Sequence, residues 1–293
     1  MLKPEIINES RGELFVINGK EKPAEMFDHK ILLTGISFYE VLKIKKKTPL
    51  FLSDHLERLA ESLKAANFIS STPLEVIAEN IDRLIDLNTA IDDGNIRLIL
   101  HYPFNSSKKP DIYVYYIPHS YPSEYEYASG ISLVLVHSER KNVHSKIINM
   151  DARMALNRKI RDNKAYEALL VNKDGFITEG SKSNFFMIRE DKITTAPEKD
   201  VLPGITRKHI FRLCRNSGID IREAKIHYTE TGNYESCFIT GTSPGVLAVR
   251  NIGSKIFKHD HPLLGKVSQE YEKLVSDYLE INIKQFGRNN KIN

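Results

Sequence analysis

The stretch from Thr178 to Phe186 has the sequence TEGSKSNFF, and it decides how the rest of this chain is interpreted. Apolar residues on both sides predict two short strands joined by a turn, with the carboxylate of Glu179 at the end of the first strand. Gly180 and the serines after it are typical of a tight turn lined with hydroxyl groups. Taken alone, Glu179 can also be interpreted as an exposed acid at a strand end. The neighbouring motifs are needed to choose between a functional role and this interpretation.

Two further turns offer donors for an anion. Residues 202–207 read LPGITR and predict a helix that begins near Thr206, whose free backbone N–H groups and dipole favour negative charge. Residues 241–245 read GTSPG and add the N–H and hydroxyl groups of Thr242 and Ser243 after a predicted strand. Each turn alone is more often an ordinary β-turn or helix cap. Together with Glu179, they indicate a phosphorylated cofactor with a basic ring nitrogen.

Elsewhere the chain alternates short strands with amphipathic helices. Asn18-Gly19 after Leu14–Ile17 predicts a tight hairpin, and the lysine-rich run 43–47 between apolar segments predicts a second hairpin with a solvated end. Helices are predicted after a cap at Ser53 or Asp54, from Pro73 as a first helical residue, over about 151–169, over about 206–216, and near the C-terminus.

The stretch 119–130, HSYPSEYEYASG, loses the apolar rhythm, which is typical of a linker. A length of 293 residues is comfortable for two domains. We therefore expect a small N-terminal α/β domain over residues 1–118, an interdomain linker over 119–130, and a larger C-terminal domain of mixed α/β structure over 131–293. The predicted fold class is α/β in the broad sense that includes α+β arrangements.

Composition excludes several classes of protein. Hydrophobic residues make up 41% and charged residues 27% of the chain, which argues against disorder. No apolar stretch approaches the ~20 residues of a membrane span. A net charge of +4 without a long basic block argues against a nucleic-acid partner. The chain has only two cysteines, Cys214 and Cys237, and its N-terminal residues show no apolar leader. Both observations favour a cytoplasmic location. No His/Cys cluster has metal-site spacing, and P-loop and dinucleotide glycine motifs are absent.

Read in order, the motifs resemble those of the class IV (fold-type IV) pyridoxal-phosphate-dependent aminotransferases. This family includes branched-chain-amino-acid aminotransferases, D-amino-acid aminotransferases and 4-amino-4-deoxychorismate lyases. The resemblance runs from near Phe15 to about Val249 and implies the two-domain fold of that family. The motifs that carry it are FYEVLK at 38–43, DHLERL at 54–59, KIIN at 146–149, the TEGSKSNFF and LPGITR stretches, and an FxxGTxxxV pattern at 238–246.

The resemblance implies a role for each matching residue. Lys146 is implied to form the Schiff base with pyridoxal 5′-phosphate and to carry the proton during the reaction. Glu179 is implied to keep the ring nitrogen protonated. The other residues implied to hold the cofactor are Arg58 at the phosphate, the backbone N–H groups of Ile205 and Thr206, the hydroxyls of Thr206 and Thr242, the adjoining Ser243, and Asn184 as a turn-holding amide near the ring. No metal ion is implied.

The chain departs from the family pattern in the substrate region. Gly35-Ile36-Ser37 stands where the family has Gly-Asp-Gly, and Tyr102-Pro103 replaces an Arg-Gly whose arginine holds the α-carboxylate in the D-amino-acid branch. Arg97 resembles the arginine that helps to hold a substrate carboxylate in branched-chain enzymes, if it points inward. If it points outward, it is a surface charge on a strand. With no arginine at position 102, the α-carboxylate is expected to rest on the backbone N–H groups of the Thr242-Ser243 turn, with a hydroxyl from Tyr39 or Tyr102. An inward Arg97 would then favour a dicarboxylate such as glutamate as the amino donor.

We expect a pyridoxal-phosphate-dependent aminotransferase that moves an amino group between an amino acid and a 2-oxo acid. Glu40 favours this over the main alternative, a 4-amino-4-deoxychorismate lyase that eliminates pyruvate with the same Lys146, because lyases of the family often carry Thr there. A second alternative is a binding protein that keeps the fold without the chemistry. The family also implies a homodimer, for which the aromatic-rich linker, Phe38 and Tyr39 offer apolar surface. No membrane or nucleic-acid partner is expected.

Overall fold

The computed structural model describes residues 10–68, 72–104, 109–118, 121–140 and 142–289. The chain divides into one unit of Met1–Ser120, Ser145–Ile148 and Asp277–Asn293, and a second of Tyr121–His144 and Asn149–Ser276. Residues 145–148 and 277–293, which the sequence places in the C-terminal domain, thus cluster with the first unit. Each unit combines a sheet with helices, which confirms the predicted α/β class. Residues 119 and 120 of the predicted linker lie outside the described residues.

The first unit is built on an antiparallel sheet. Its described strands are β1 (Arg11–Ile17), β2 (Lys20–Pro23), β3 (Gly35–Lys45), β4 (Thr48–Pro49), β5 (Gly94–Pro103) and β6 (Asp111–Ile117), in the order β2-β1-β6-β5-β3-β4. The helices that pack on this sheet are α1 (Leu52–Ala65) and α2 (Leu74–Leu87).

The two faces of this sheet differ because side chains alternate along β3. Phe38 is fully buried in a core that includes Leu59 of α1. Tyr39, the next residue, packs on the opposite face in a separate cluster with Tyr115. As a consequence, β3 directs Glu40 towards the helices and Tyr39 away from them.

Both predicted hairpins are confirmed. Asn18 and Gly19 have φ values of 50° and 78° in the turn between β1 and β2. This positive φ is the conformation that an Asn-Gly pair adopts at low cost. Lys46 and Lys47 are exposed in the turn between β3 and β4, so the lysine-rich run ends in solvent as the sequence predicts.

The segment Ser145–Ile148 lies along β3 like a short extra strand. The N–H of Tyr39 donates to the carbonyl of Lys146 (3.0 Å), and the N–H of Ile148 donates to the carbonyl of Ser37 (3.0 Å). Main-chain pairing to a sheet strand fixes the position of residue 146 independently of its side chain.

The second unit contains a larger mixed sheet. Its described strands are β7 (Ile131–His137), β8 (Glu167–Val171), β9 (Phe176–Gly180), β10 (Asn184–Arg189), β11 (Lys192–Thr195), β12 (Asp220–Glu223), β13 (Ile226–His227), β14 (Ser236–Gly241), β15 (Gly245–Ile252) and β16 (Lys255–Ile256). They lie in the order β12-β11-β10-β14-β15-β7-β8-β9-β13, and β16 pairs with β15. The remaining helices are α3 (Glu124–Ser129), α4 (Met150–Asp162), α5 (Ile205–Asn216) and α6 (Pro262–Asn289), whose residues from Asp277 onward are assigned to the first unit.

The topology of this sheet brings two of the predicted turns together. β10 pairs antiparallel with β14, so Asn184 at the start of β10 lies opposite Thr240 near the end of β14. β9 ends at Gly180, and only the turn of residues 181–183 separates it from Asn184. The turn after Glu179 and the turn after Gly241 therefore meet at the same edge of the sheet.

Three predicted helix boundaries are wrong. Helix α4 ends at Asp162 instead of near residue 169, because Lys164 has a φ of 50° and the apolar run Glu167–Val171 is the fully buried strand β8. Helix α1 begins directly after Phe51, which has a φ of 55°, and no side chain caps it. Pro73 precedes α2 and is not its first residue.

Within the described ranges, no helix is long and apolar enough to cross a membrane. The same residues contain no group of three or more His, Cys, Asp or Glu side chains that could hold a metal ion. Cys214 and Cys237 are buried free thiols. Burial raises the pKa of the Cys214 thiol to about 11, so this thiol stays protonated at neutral pH and is a poor nucleophile.

Candidate active site

Lys146 lies beside Tyr39 in the first unit, and its side chain is half-buried. Its Nζ atom is 5.2 Å from the centroid of the Tyr39 ring. Its backbone N–H donates to the Oγ atom of Ser62 in α1 (3.3 Å), while its carbonyl is bound to β3. Because β3 and α1 hold the main chain of Lys146, only its side chain has to move for the amine to take part in covalent chemistry.

A buried ion cluster lies on the helix-facing side of β3. The Glu40 carboxylate accepts hydrogen bonds from Arg58 through Nε (2.9 Å) and Nη2 (2.5 Å), and from Nδ1 of His55 (2.7 Å). The three residues Glu40, His55 and Arg58 are 0%, 1% and 5% exposed. Burial raises the pKa of the Glu40 carboxyl, but Arg58, Lys146 and His55 together hold this pKa well below its usual range. Burial lowers the pKa of His55, so its imidazole is neutral at pH 7.

Arg58 is expected from the sequence to bind a cofactor phosphate. In the structure, the Nε–Nη2 edge of its guanidinium is bound to Glu40. A guanidinium has five N–H donors in a planar fork, so the end that carries Nη1 and the second Nη2 hydrogen is the part that could bind a phosphate. The phosphate role itself stays a prediction.

Arg97 is buried and lies over the same aromatic ring as Lys146. Its guanidinium carbon is 5.8 Å from the centroid of Tyr39. On β5 it pairs with Val41 of β3, which places it on the same sheet face as Tyr39. At 9% exposure, Arg97 is not a surface charge on a strand, and the outward orientation is excluded.

Tyr102 lies on the other face of β5. Its ring centroid is 4.9 Å from that of Phe68 and 5.9 Å from that of Phe38, in the core that includes α1 and α2. Strand alternation thus separates Tyr102 from Tyr39 and Arg97, and the structure does not bring the three predicted substrate residues together.

The two departures from the family pattern are paired between β3 and β5, with Gly35 opposite Pro103 and Ile36 opposite Tyr102. The Oγ atom of Ser37 is 2.8 Å from Nδ1 of His101, and Oγ1 of Thr34 is 3.2 Å from Nε2 of the same ring. Burial lowers the pKa of His101, although the charge of Asp111 raises it in part. A neutral histidine between two hydroxyls therefore links the start of β3 to the end of β5. The sequence alone gives no signal for this pairing.

Glu179 is the buried acid at the end of β9, at 3% exposure. Its Oε1 accepts a hydrogen bond from Nε of Arg140 (2.8 Å), and its Oε2 accepts one from the backbone N–H of Leu202 (3.1 Å). Both oxygens of the carboxylate thus have a hydrogen-bond partner, and the side chain is tied to the turn that precedes α5. Arg140 is missing from the sequence-based prediction because it follows β7 in an irregular segment without a recognisable motif.

The start of α5 is shaped by Asn184. Its Nδ2 donates to the carbonyl of Leu202 (3.1 Å), as predicted for a turn-holding amide. A side chain at Gly204 would collide with the Asn184 amide, so the approach of this turn requires glycine. No described side chain caps the helix, and its first-turn N–H groups at Ile205 and Thr206 are therefore suited to an anion.

The turn of Thr242 and Ser243 joins β14 to β15 and is half-buried. A Cβ atom at Gly241 would lie 3.6 Å from the carbonyl of Lys182, so this turn lies close to the one after Glu179. Among the described residues, the buried Oγ1 of Thr240 has no hydrogen-bond partner. This edge of the second unit thus combines hydroxyl and N–H donors with the buried acid Glu179.

A second buried carboxyl, Glu167 of β8, holds the turn after Glu179. Its Oε1 accepts hydrogen bonds from the backbone N–H of Lys182 (2.5 Å), from Oγ of Ser183 (3.1 Å) and from Oγ of Ser181 (3.3 Å). Burial raises the pKa of Glu167, and these donors offset part of that rise. The hydroxyls of Ser181 and Ser183 are therefore bound to the Glu167 carboxyl of the same protein. Glu167 is missed from the sequence because it lies in an otherwise apolar run.

Each unit by itself carries groups that match a part of pyridoxal phosphate. The first unit supplies an amine, Lys146, which matches an aldehyde. The second unit supplies a buried acid, Glu179, which matches a basic ring nitrogen. The same unit supplies an uncapped helix start and the unpartnered hydroxyl of Thr240 beside a donor-rich turn, which match a phosphate.

The comparison with known families decides the class of protein. The family model described as "Amino-transferase class IV" matches residues 37–252, which is most of the chain. The chain belongs to the class IV aminotransferases. The predicted family and the prediction of an enzyme are both confirmed, and members of this class depend on pyridoxal phosphate. The matched range of this class IV aminotransferase contains Glu40, Lys146 and Glu179.

Relatives of this class IV aminotransferase carry more than one activity in their names. It is 29% identical to the branched-chain-amino-acid aminotransferase-like protein 2 of Arabidopsis thaliana over 85% of this chain and 47% of that protein, so it spans about half the length of that relative. It is 28% identical to the aminodeoxychorismate lyase of Bacillus subtilis (strain 168) over 76% of this chain and 78% of the lyase.

A solved structure shares the fold of this class IV aminotransferase. It is the branched-chain aminotransferase of the thermophilic archaeon Thermoproteus uzoniensis with norvaline, which superposes with a TM-score of 0.81 and covers 92% of this chain and 98% of that chain. At 21% identity, this likeness establishes the fold. The α/β fold class implied by the resemblance is therefore confirmed.

Proposed function

We propose that this protein binds pyridoxal 5′-phosphate and transfers an amino group from an amino acid to a 2-oxo acid. The observation that carries the proposal is the position of Lys146. The main chain of Lys146 is paired with β3, and its amine lies 5.2 Å from the centroid of the Tyr39 ring. Strand β3 carries both Tyr39 and Glu40, whose carboxylate is bound to Arg58. These contacts distinguish Lys146 from an ordinary solvent-exposed lysine.

In this proposal, the bound cofactor supplies the aldehyde that accepts the amino group and the ring that withdraws electrons from the substrate. Lys146 would hold the cofactor covalently and would move a proton at its Nζ atom. Glu179 would keep the ring nitrogen protonated, and Arg140 holds that carboxylate in place. The residues that would hold the phosphate are Arg58 in the first unit and, in the second unit, Ile205 and Thr206 at the start of α5 and Thr242 and Ser243 in their turn.

The test is the transfer of labelled nitrogen. The purified protein with pyridoxal phosphate is incubated with nitrogen-labelled glutamate, or another labelled amino acid, and a panel of 2-oxo acids, and the products are identified by mass spectrometry. We expect the label to appear in a new amino acid in equal amount to the 2-oxo acid released. Release of 2-oxo acid without any labelled amino acid product contradicts transamination.

The second candidate is 4-amino-4-deoxychorismate lyase, because the chain is 28% identical to a protein of that name. The same Lys146 would serve an elimination that releases pyruvate. The alternatives separate in one further arm of the experiment, in which aminodeoxychorismate replaces the amino acid. Pyruvate release with no transfer to any 2-oxo acid supports the lyase, whereas no pyruvate release and efficient transfer support the aminotransferase.

Arg97 is proposed to favour a dicarboxylic amino donor. A buried guanidinium can bind a carboxylate through two parallel hydrogen bonds. We expect Arg97→Ala to lower kcat/KM for glutamate roughly 10- to 100-fold, as for loss of a charged hydrogen bond, and to change kcat/KM for a monocarboxylic amino acid much less. Arg83→Ala, in a half-exposed pair with Glu21, is the matched control. Equal losses for both classes of donor contradict this assignment.

We also propose a homodimer, which the family implies, and a cytoplasmic location. The contribution expected from Phe38 is wrong, because this residue is fully buried within the first unit. Tyr125 and Tyr127 of the predicted linker remain exposed, at 68% and 43%. Sedimentation at micromolar protein is expected to give twice the chain mass of 33.5 kDa. A fully active protein that sediments as a monomer contradicts the dimer.

A further inference from the structure

We propose that Glu40 is a positioning residue that orients Arg58 towards the cofactor phosphate. This inference rests on the proposed function, because it takes Arg58 as a phosphate ligand. It adds a carboxylate, on a different element, whose task is to hold the guanidinium in one orientation.

Glu40 is itself held firmly. It lies within β3 and pairs with Leu98 of β5 in the sheet. Its side chain is completely buried, and Nδ1 of His55 binds Oε2 at 2.7 Å. Because burial keeps the imidazole of His55 neutral, this histidine fixes the carboxylate without adding a positive charge. The carboxylate is therefore a rigid acceptor.

The contact with Arg58 is made at two points. Nε binds Oε1 at 2.9 Å, and Nη2 binds Oε2 at 2.5 Å, so the planes of the two groups are aligned. An arginine held in this way cannot rotate about its last side-chain bonds without breaking both contacts. The two contacts therefore fix the orientation of the whole guanidinium. A fixed orientation of the donor group is the preorganisation that an anion site needs.

The same carboxylate also acts on Lys146, since the two charges attract each other. Glu40 thus interacts with two residues that the proposed function assigns to the cofactor, one at its phosphate and one at its aldehyde. Loss of Glu40 must therefore be tested with a measurement that separates the phosphate from the rest of the cofactor.

The experiment compares dissociation constants for pyridoxal phosphate and for pyridoxal, which lacks the phosphate. The apoprotein and its Glu40→Gln variant are titrated with each compound. The Kd for pyridoxal divided by the Kd for pyridoxal phosphate measures how much the phosphate contributes to binding. We expect Glu40→Gln to reduce this ratio roughly tenfold, as for a disturbed charged hydrogen bond. Glu61→Gln changes an exposed acid on α1, the helix that carries Arg58, and is expected to leave the ratio unchanged.

Arg58→Met distinguishes failure of this inference from failure of the proposed function. If Arg58→Met leaves the ratio unchanged, the phosphate role of Arg58 in the proposed function is wrong. If Arg58→Met lowers the ratio but Glu40→Gln does not, only the positioning role of Glu40 is overturned. A purely structural role for Glu40 predicts lower thermal stability with an unchanged ratio.

Glu40→Gln leaves Arg58 buried beside a neutral amide and can fail to fold. The double variant Glu40→Gln/Arg58→Met removes both charges and keeps the test decisive. If Glu40 acts through Arg58, the double variant has the same ratio as Arg58→Met alone. A further loss of the ratio in the double variant overturns the proposal, because Glu40 would then affect phosphate binding by another route.

Discussion

Lys146→Ala should abolish amino-group transfer and remove the visible absorption of the bound cofactor, while the protein remains folded. We expect kcat to fall by at least about 10³-fold, because the lysine provides both the covalent link and the proton transfer. The anchors of this position are main-chain hydrogen bonds to Tyr39, Ser37 and Ser62, and removal of the side chain leaves them in place. Activity is measured by product formation and folding by thermal unfolding of the apoprotein.

Two controls sharpen this result. Lys146→Arg keeps a positive charge near Glu40 but cannot form the covalent link, and it should be as inactive as the alanine variant. Lys159→Ala removes an exposed lysine of α4 and should keep full activity. Transfer by Lys146→Ala within about tenfold of the parent protein, with no amine added, is incompatible with the role assigned to this residue.

The second large effect is expected for Glu179→Gln. Glutamine keeps the shape of the side chain and can still accept the N–H of Leu202, but it cannot hold a proton on the ring nitrogen by charge. We expect kcat to fall about 10²- to 10³-fold, the size typical of losing one group that stabilises developing charge. The affinity for pyridoxal phosphate should change far less than kcat, since the phosphate contacts are separate.

Glu190→Gln is the matched control, because this acid is 70% exposed on its side chain. Arg140→Gln should show a weaker version of the Glu179→Gln defect, since Arg140 holds Oε1 of Glu179 at 2.8 Å. An unchanged kcat for Glu179→Gln, measured at saturating cofactor, would show that Glu179 does not serve the ring.

The sequence predicts those parts of the candidate site that local patterns encode. The LPGITR and GTSPG turns, the strand end at Glu179 and the turn-holding amide of Asn184 are local patterns, and the structure brings these groups to one edge of a sheet. Their geometry follows from glycine, helix starts and strand ends, which are encoded within a few residues.

The parts that sequence reasoning misses depend on contacts between distant segments. The segment Ser145–Ile148 joins the edge of β3, more than a hundred residues earlier in the chain. The contacts of Glu40 with Arg58 and of Glu179 with Arg140 join separate elements in the same way. Tertiary packing also decides that residues 167–171 form strand β8, where the apolar run alone is compatible with a helix.

The most direct test of the central assignment is a single half-reaction with the intact protein. One equivalent of pyridoxal phosphate is bound, an amino acid is added in the absence of any 2-oxo acid, and the visible absorption is followed in a stopped-flow instrument. We predict that the band disappears as one equivalent of 2-oxo acid is released, and that a 2-oxo acid then restores it. If no L- or D-amino acid changes the band, while aminodeoxychorismate yields pyruvate with the band preserved, the protein is a lyase and the aminotransferase account is wrong.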